Sequence, residues 1–149
     1  MQVGNILEVS LSNDPYFRGM WKVGKVISIV EENGITRERY ELFRNENRIF
    51  VETVPNDPGL SLFKHVETNN DRNLSIPPDP VIFLGETEYR TLDPSHGNPG
   101  FKANYDGTNI LHCEYSNQKG DAFFQVLYYK AIGIIDVFTG EQSLTYKVF

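Results

Sequence analysis

Three stretches of this chain gather residues that could do chemistry. The first is Ile110-Leu111-His112-Cys113-Glu114-Tyr115, where the only cysteine stands between a histidine and a glutamate. A thiol beside an imidazole suggests a nucleophile with its base, and a histidine two residues from a carboxylate suggests an acid–base pair or part of a metal site. On a strand, however, neighbouring side chains point to opposite faces. Leu111, Cys113 and Tyr115 then share an apolar face turned to the core, while Ile110, His112 and Glu114 share the other. Cys113 and His112 therefore form no dyad on their own strand. A metal site would need two more ligands, and His65, His96 and Asp93 stand at no diagnostic spacing. The sequence thus reads His112 and Glu114 as a solvated strand face, and it assigns no catalytic residue, no metal ligand and no cofactor.

The second stretch, Thr91 to Phe101, holds Asp93, Ser95 and His96, the residue types of activated-nucleophile chemistry. It carries no G-x-S-x-G elbow, and its Asp-Pro and Gly-Asn-Pro-Gly steps are turn chemistry, so it reads as a long surface loop. The third, Asn13 to Gly24, concentrates Tyr16, Phe17, Met20 and Trp21 around Arg18. Tyr, Trp and Arg are enriched at interface hot spots, which makes Tyr16, Phe17, Arg18 and Trp21 the candidate binding residues. The competing reading is that Phe17 and Trp21 plug the open end of a barrel or sandwich, since aromatics dominate cores as well as interfaces.

The elements that would position these residues are strands. Ile6 to Leu11 places Leu7, Val9 and Leu11 on one face. Leu60 to Val66 places Leu60, Leu62 and Val66 opposite Phe63 and His65. Gly100 to Tyr105 aligns Phe101, Ala103 and Tyr105, and Ser143 to Val148 aligns Leu144, Tyr146 and Val148. Asn33-Gly34, between two alternating runs, is a strong hairpin signal, and Asp106-Gly107, Lys119-Gly120 and Thr139-Gly140 read as further hairpin turns. "DAFFQVLYYKAIG" is the nearest approach to a helix, yet its aromatics favour strand. Turn signals recur roughly every 8–12 residues, which predicts an all-β fold of about ten strands, an antiparallel barrel or two-sheet sandwich.

The 149 residues suit a single domain. Residues 69 to 80, polar and then proline-rich at Pro77, Pro78 and Pro80, read as a crossover between β-rich halves 1–68 and 81–149. A single cysteine fits a reducing compartment, and the N-terminus has no basic segment followed by an apolar run, so a cytoplasmic protein without signal peptide or membrane span is expected. The net charge of −6, from 20 acidic and 14 basic residues, argues against a nucleic-acid partner. The densest basic group, Arg37, Arg39, Arg44 and Arg48, is interleaved with Glu38, Glu41 and Glu46.

Gly19-Met20-Trp21 resembles the G-x-W motif of lipocalins over those three residues. More broadly, the strand at Val23-Gly24-Lys25-Val26, followed by Tyr40-Glu41-Leu42 and by a second half opening on Gly85-Glu86-Thr87-Glu88-Tyr89, resembles an uncharacterised family of bacterial β-rich domains. That likeness implies a fold and no activity. The function expected first is a non-catalytic protein-interaction module, an accessory or regulatory protein of bacterial or phage type, with an edge strand free to pair with a second copy. The alternative is a barrel that carries a small apolar or aromatic ligand, suggested by one Trp, eight Tyr and ten Phe. A hydrolase or metal-assisted enzyme built on Asp93 and His96, or on His112 and Glu114, comes third.

Overall fold

Short alternating runs pair with their neighbours through tight turns, and the result is one antiparallel sheet. A computed structural model describes residues 1–32, 34–53, 58–70, 81–91 and 100–149. Its strands are β1 (Ile6–Val9), β2 (Gly19–Glu31), β3 (Thr36–Arg44), β4 (Asn47–Thr53), β5 (Leu60–Asn70), β6 (Val81–Leu84), β7 (Thr87–Thr91), β8 (Gly100–Tyr105), β9 (Thr108–Asn117), β10 (Phe123–Tyr129), β11 (Ile134–Ser143) and β12 (Tyr146–Val148). One turn of 3-10 helix, Pro15–Phe17, precedes β2. No helix among the described residues is long and apolar enough to cross a membrane.

The sheet closes on itself. β2-β3-β4-β5 form one meander and β8-β9-β10-β11 another; β5 pairs with β11 and β2 with β8, which completes an antiparallel barrel of eight strands. Each half of the chain thus supplies four staves. Closure removes most of the free edge that an open sheet would expose. β1 and β12 continue from β2, and β7 and β6 continue from β9, so the terminal strands of the sheet have only three and four residues, while residues 64–70 of β5 extend past the last pair with β4. β2 serves two neighbours because it is thirteen residues long: Gly19–Lys22 pair with β1, and Ile29–Glu31 pair with β8.

The expected turns at Asp106-Gly107 and Lys119-Gly120 join β8 to β9 and β9 to β10, with positive φ at Asp106, Gly107 and Gly120. A hairpin also joins β2 to β3 around Gly34 (φ 87°), although Asn33 lies outside the described residues. Thr139-Gly140 is not a turn. It lies inside β11 opposite Lys64 and Phe63. A Cβ on Gly140 would run into the Leu62 carbonyl oxygen and come within 2.6 Å of the Phe63 ring, so glycine is there for close approach rather than for bending. β5 runs through Asn70, taking the first two residues of the expected crossover; residues 71–80 lie outside the described residues.

Many strands bury both faces, because the barrel is filled inside and covered outside. Phe50, Phe63, Leu127, Phe138, Ile29, Tyr105 and Ile110 pack in the lumen. Outside the first meander, Trp21, Val23, Tyr40, Leu42, Ile49, Val51, Leu60 and Leu62 pack against Leu7, Val9 and Phe17. Outside the second, Cys113, Tyr115, Phe124, Val126 and Ile135 pack beneath Tyr89. The alternation read at three ends breaks down. Leu11 and Leu144 fall beyond their strands and are 66% and 71% exposed, and Val66, 52% exposed, occupies a bulge in β5 that Val137 and Phe138 skip.

Candidate functional site

The polar residues that could do chemistry converge inside the barrel. Period-two alternation turns Arg37 and Arg39 of β3 inward, along with Glu52 of β4, Tyr105 of β8, His112 and Glu114 of β9 and Gln125 of β10. Two of these are cross-strand pairs, Arg39 opposite Glu52 in the first meander and Glu114 opposite Gln125 in the second. They meet across the lumen. Arg39 Nη1 donates to Glu52 Oε1 at 2.6 Å and to Gln125 Oε1 at 2.8 Å, and Gln125 Nε2 donates to Glu52 Oε1 at 3.1 Å. The arginine fixes the glutamine's orientation, since a flipped amide would set donor against donor.

His112 continues the network. Its Nε2 lies 2.6 Å from Glu114 Oε1, and its Nδ1 shares a hydrogen bond with the Tyr105 hydroxyl. Arg37 closes the other side, 2.7 Å from Glu31, 3.3 Å from Glu114 and 3.8 Å from Glu52. The face read from sequence as solvated is therefore a buried one: His112 and Gln125 are fully inaccessible, and Arg39 and Glu52 are 2% exposed. Around them the Arg39 guanidinium carbon lies 4.6 Å from the Phe50 ring centroid and 4.7 Å from that of Phe138, a desolvated cation–π arrangement.

Electrostatics follow from this enclosure. Burial pushes the Glu114 carboxyl up, but the charge and hydrogen bond of His112, then Arg37 and Gln125, outweigh it and hold it well below the usual carboxylate range. Burial, reinforced by Glu52, keeps the Tyr105 phenol protonated, with its pKa well above normal although Arg39 and Arg37 pull the other way. Cys113 points to the opposite face, as the alternation required, and burial followed by the nearby Glu114 charge pushes its thiol up to about 12. A thiol that stays protonated in an apolar core is not a nucleophile.

Glu52, His112 and Glu114 bring potential ligand atoms within 4.8 Å of one another, the spacing of a metal cluster. Each of those atoms already has a partner, and two guanidinium groups stand beside the carboxylates. A dication would have to displace them or share the space with them, and the ionic balance of the cluster opposes both. What the arrangement does well is hold two meanders together through charge-assisted hydrogen bonds.

The four candidate binding residues divide. Phe17 and Trp21 are 2% and 0% exposed, and the Trp21 indole donates to the Phe17 carbonyl at 2.9 Å, so both are core plugs. Tyr16 is half-buried and Arg18 exposed. Their loop is tied down from several directions. Glu141 accepts from the Asn13 and Asp14 amides at 2.9 and 3.2 Å, Asp14 caps the 3-10 turn and meets Lys64, and Arg44 binds the Tyr16 and Arg18 carbonyls. Beside it β4 and β5 part, pairing only at Phe50–Glu52 with Ser61–Phe63. The resulting cleft of about 590 Å³ holds Tyr16, Phe43, Arg48, Lys64, His65 and Val66, and the Tyr16 hydroxyl donates to the Arg48 carbonyl across it at 3.1 Å. Asp93, Ser95 and His96 lie outside the described residues.

Sequence reading missed Arg39, Glu52, Tyr105 and Gln125 as a cluster. The available signal was a polar residue inside an apolar run, Glu52 after Ile49-Phe50-Val51 and Gln125 within Phe123-Phe124-Gln125-Val126-Leu127. No protein-family model matches the chain, nor does any curated protein or solved structure.

Proposed function

We propose that this chain is a non-catalytic protein-interaction module whose contact surface is the pinned loop carrying Tyr16 and Arg18 together with the adjoining β4/β5 cleft. The observation that carries this reading is the loop's anchoring by Glu141, Lys64 and Arg44. Ordering a loop before it binds lowers the entropy lost on association. Tyr16, exposed Phe43 and Val66 supply apolar area; Arg48, paired with Glu41, and Lys64, paired with Asp14, line the cleft with Glu46, and exposed Arg18 stands on the adjoining loop. That combination suits an acidic segment bearing apolar side chains. The lone, buried Cys113 accords with a cytoplasmic setting, and the motif resemblance with an accessory protein of bacterial or phage type.

The test compares the wild-type chain with an Arg18→Glu, Arg48→Glu variant. Both side chains are exposed, but Arg48 pairs with Glu41 and Arg18 donates to the Ser12 carbonyl, so urea unfolding of the variant is measured alongside, with Arg18→Gln, Arg48→Gln as the milder version. Affinity capture from the host followed by native mass spectrometry should give a stoichiometric second chain with an acidic surface, lost in the variant. Equal capture by both proteins would refute the assigned surface.

A further inference from the structure

The outer wall of the barrel is covered in two places, by Leu7, Val9 and Phe17 over the first meander and by Tyr89 over the second. Between them, where β2, β8, β9 and β10 run side by side, the described residues leave it open. Two cross-strand rows cross this stretch: Val30, Asn104 and Asn109 in one, and Lys102, Leu111 and Tyr128 in the other. They form the floor of a groove of about 790 Å³, with Lys130 and Glu32 on its rim. That volume lies within the range of roughly 300–1,000 Å³ typical of small-molecule sites.

The groove's polar groups differ in what they have left to offer. The Asn104 amide donates to Asn109 at 3.0 Å and accepts from the Gly107 amide at 2.7 Å, so the floor's carboxamides are engaged. Lys102 and Lys130 are exposed, and neither forms an ion pair among the described residues. Val30 is 42% exposed and Leu111 half-buried, giving an apolar surface beside two cations that form no ion pair among the described residues. Val30, Asn104, Leu111 and Tyr128 are each paired on both sides, so the floor between them offers no free backbone to recruit a peptide as an added strand. The groove favours a compact ligand over a peptide.

We propose that this groove binds a small amphipathic carboxylate, its apolar body lying on Val30, Leu111 and Tyr128 and its anionic group held by Lys102 and Lys130. Glu32 on the same rim offsets part of the lysines' charge, and the two cations outnumber it. This site is separate from the Tyr16–Arg18 surface, and either stands if the other fails.

The experiment titrates isotopically labelled protein with octanoate and, separately, with uncharged octan-1-ol, following backbone amide shifts. Octanoate should saturate a single site, with shifts centred on Val30, Lys102, Leu111 and Lys130, and octan-1-ol should bind there about tenfold more weakly. A Lys102→Glu, Lys130→Glu variant should weaken octanoate by about tenfold or more and leave octan-1-ol unchanged. Lys102→Gln and Lys130→Gln provide milder versions should the reversal disturb folding. Non-saturating shifts, shifts centred elsewhere, equal affinity for alcohol and acid, or undiminished binding by the variants would each overturn the assignment.

Discussion

The Cys113 thiol has no exposed surface, and its pKa is pushed up to about 12 by burial and by Glu114. An aromatic disulfide reagent at neutral pH should therefore leave the native protein unlabelled and modify one thiol per chain once urea unfolds it. Rapid labelling of the folded protein would refute the burial of this face of β9 beneath Tyr89. Glu114 makes a second prediction at this scale. Its folded-state pKa, held at about 2, is depressed relative to the ordinary glutamate value of 4.5, so the unfolded chain binds its proton more readily. The stabilisation this provides is fully present above the unfolded value and is lost as pH falls toward the folded one. The urea midpoint should decline between about pH 5 and pH 2, and Glu114→Gln should flatten that decline. An equally steep decline in the variant would assign the acid sensitivity elsewhere.

Gly140 shows what a strand needs beyond its pattern. Gly140→Ala places a methyl group against the Leu62 carbonyl and the Phe63 ring, and overpacking of this kind costs about 1–3 kcal/mol. Urea denaturation should show that loss with the m-value unchanged; a neutral substitution would mean that β11 and β5 do not approach so closely. The same residue shows where sequence reading stopped. The strand character of the chain, its hairpins at Asp106-Gly107 and Lys119-Gly120, and the shared buried face of Cys113 and Tyr115 were all legible, because each depends on local alternation or turn chemistry. Thr139-Gly140 imitates a turn locally, and only the approach of β5 explains it. The site was hidden for a related reason. Glu52 and Gln125 lie on strands with both faces buried, and nothing local says that one buried face is a lumen shared with Arg39 from a distant strand.

At the scale of the whole molecule, barrel closure divides the aromatic residues between support and surface. Trp21 is fully buried beneath the Arg44 guanidinium, whose carbon lies 4.0 Å from the ring centroid. Its fluorescence should be blue-shifted and resist iodide quenching, whereas Trp21→Ala should destabilise the fold by about 3–5 kcal/mol rather than act on binding alone. An emission maximum typical of solvated indole would return Trp21 to the contact surface. Closure also means that the two meanders depend on each other through Arg39, Glu52 and Gln125, and removing one partner from such a buried ionic network is costly, about 3–5 kcal/mol for Arg39→Met.

The most direct test of this account is a double-mutant cycle across the lumen, using Arg39→Met, Gln125→Leu and the pair together, with stability read from urea unfolding. A network that joins the two meanders predicts a coupling energy of about 1–3 kcal/mol between these residues, which are 2.8 Å apart in space and 86 positions apart in sequence. Effects that simply add, within about 0.5 kcal/mol, would contradict it, leaving Arg39 and Gln125 out of contact and the barrel held shut by other means.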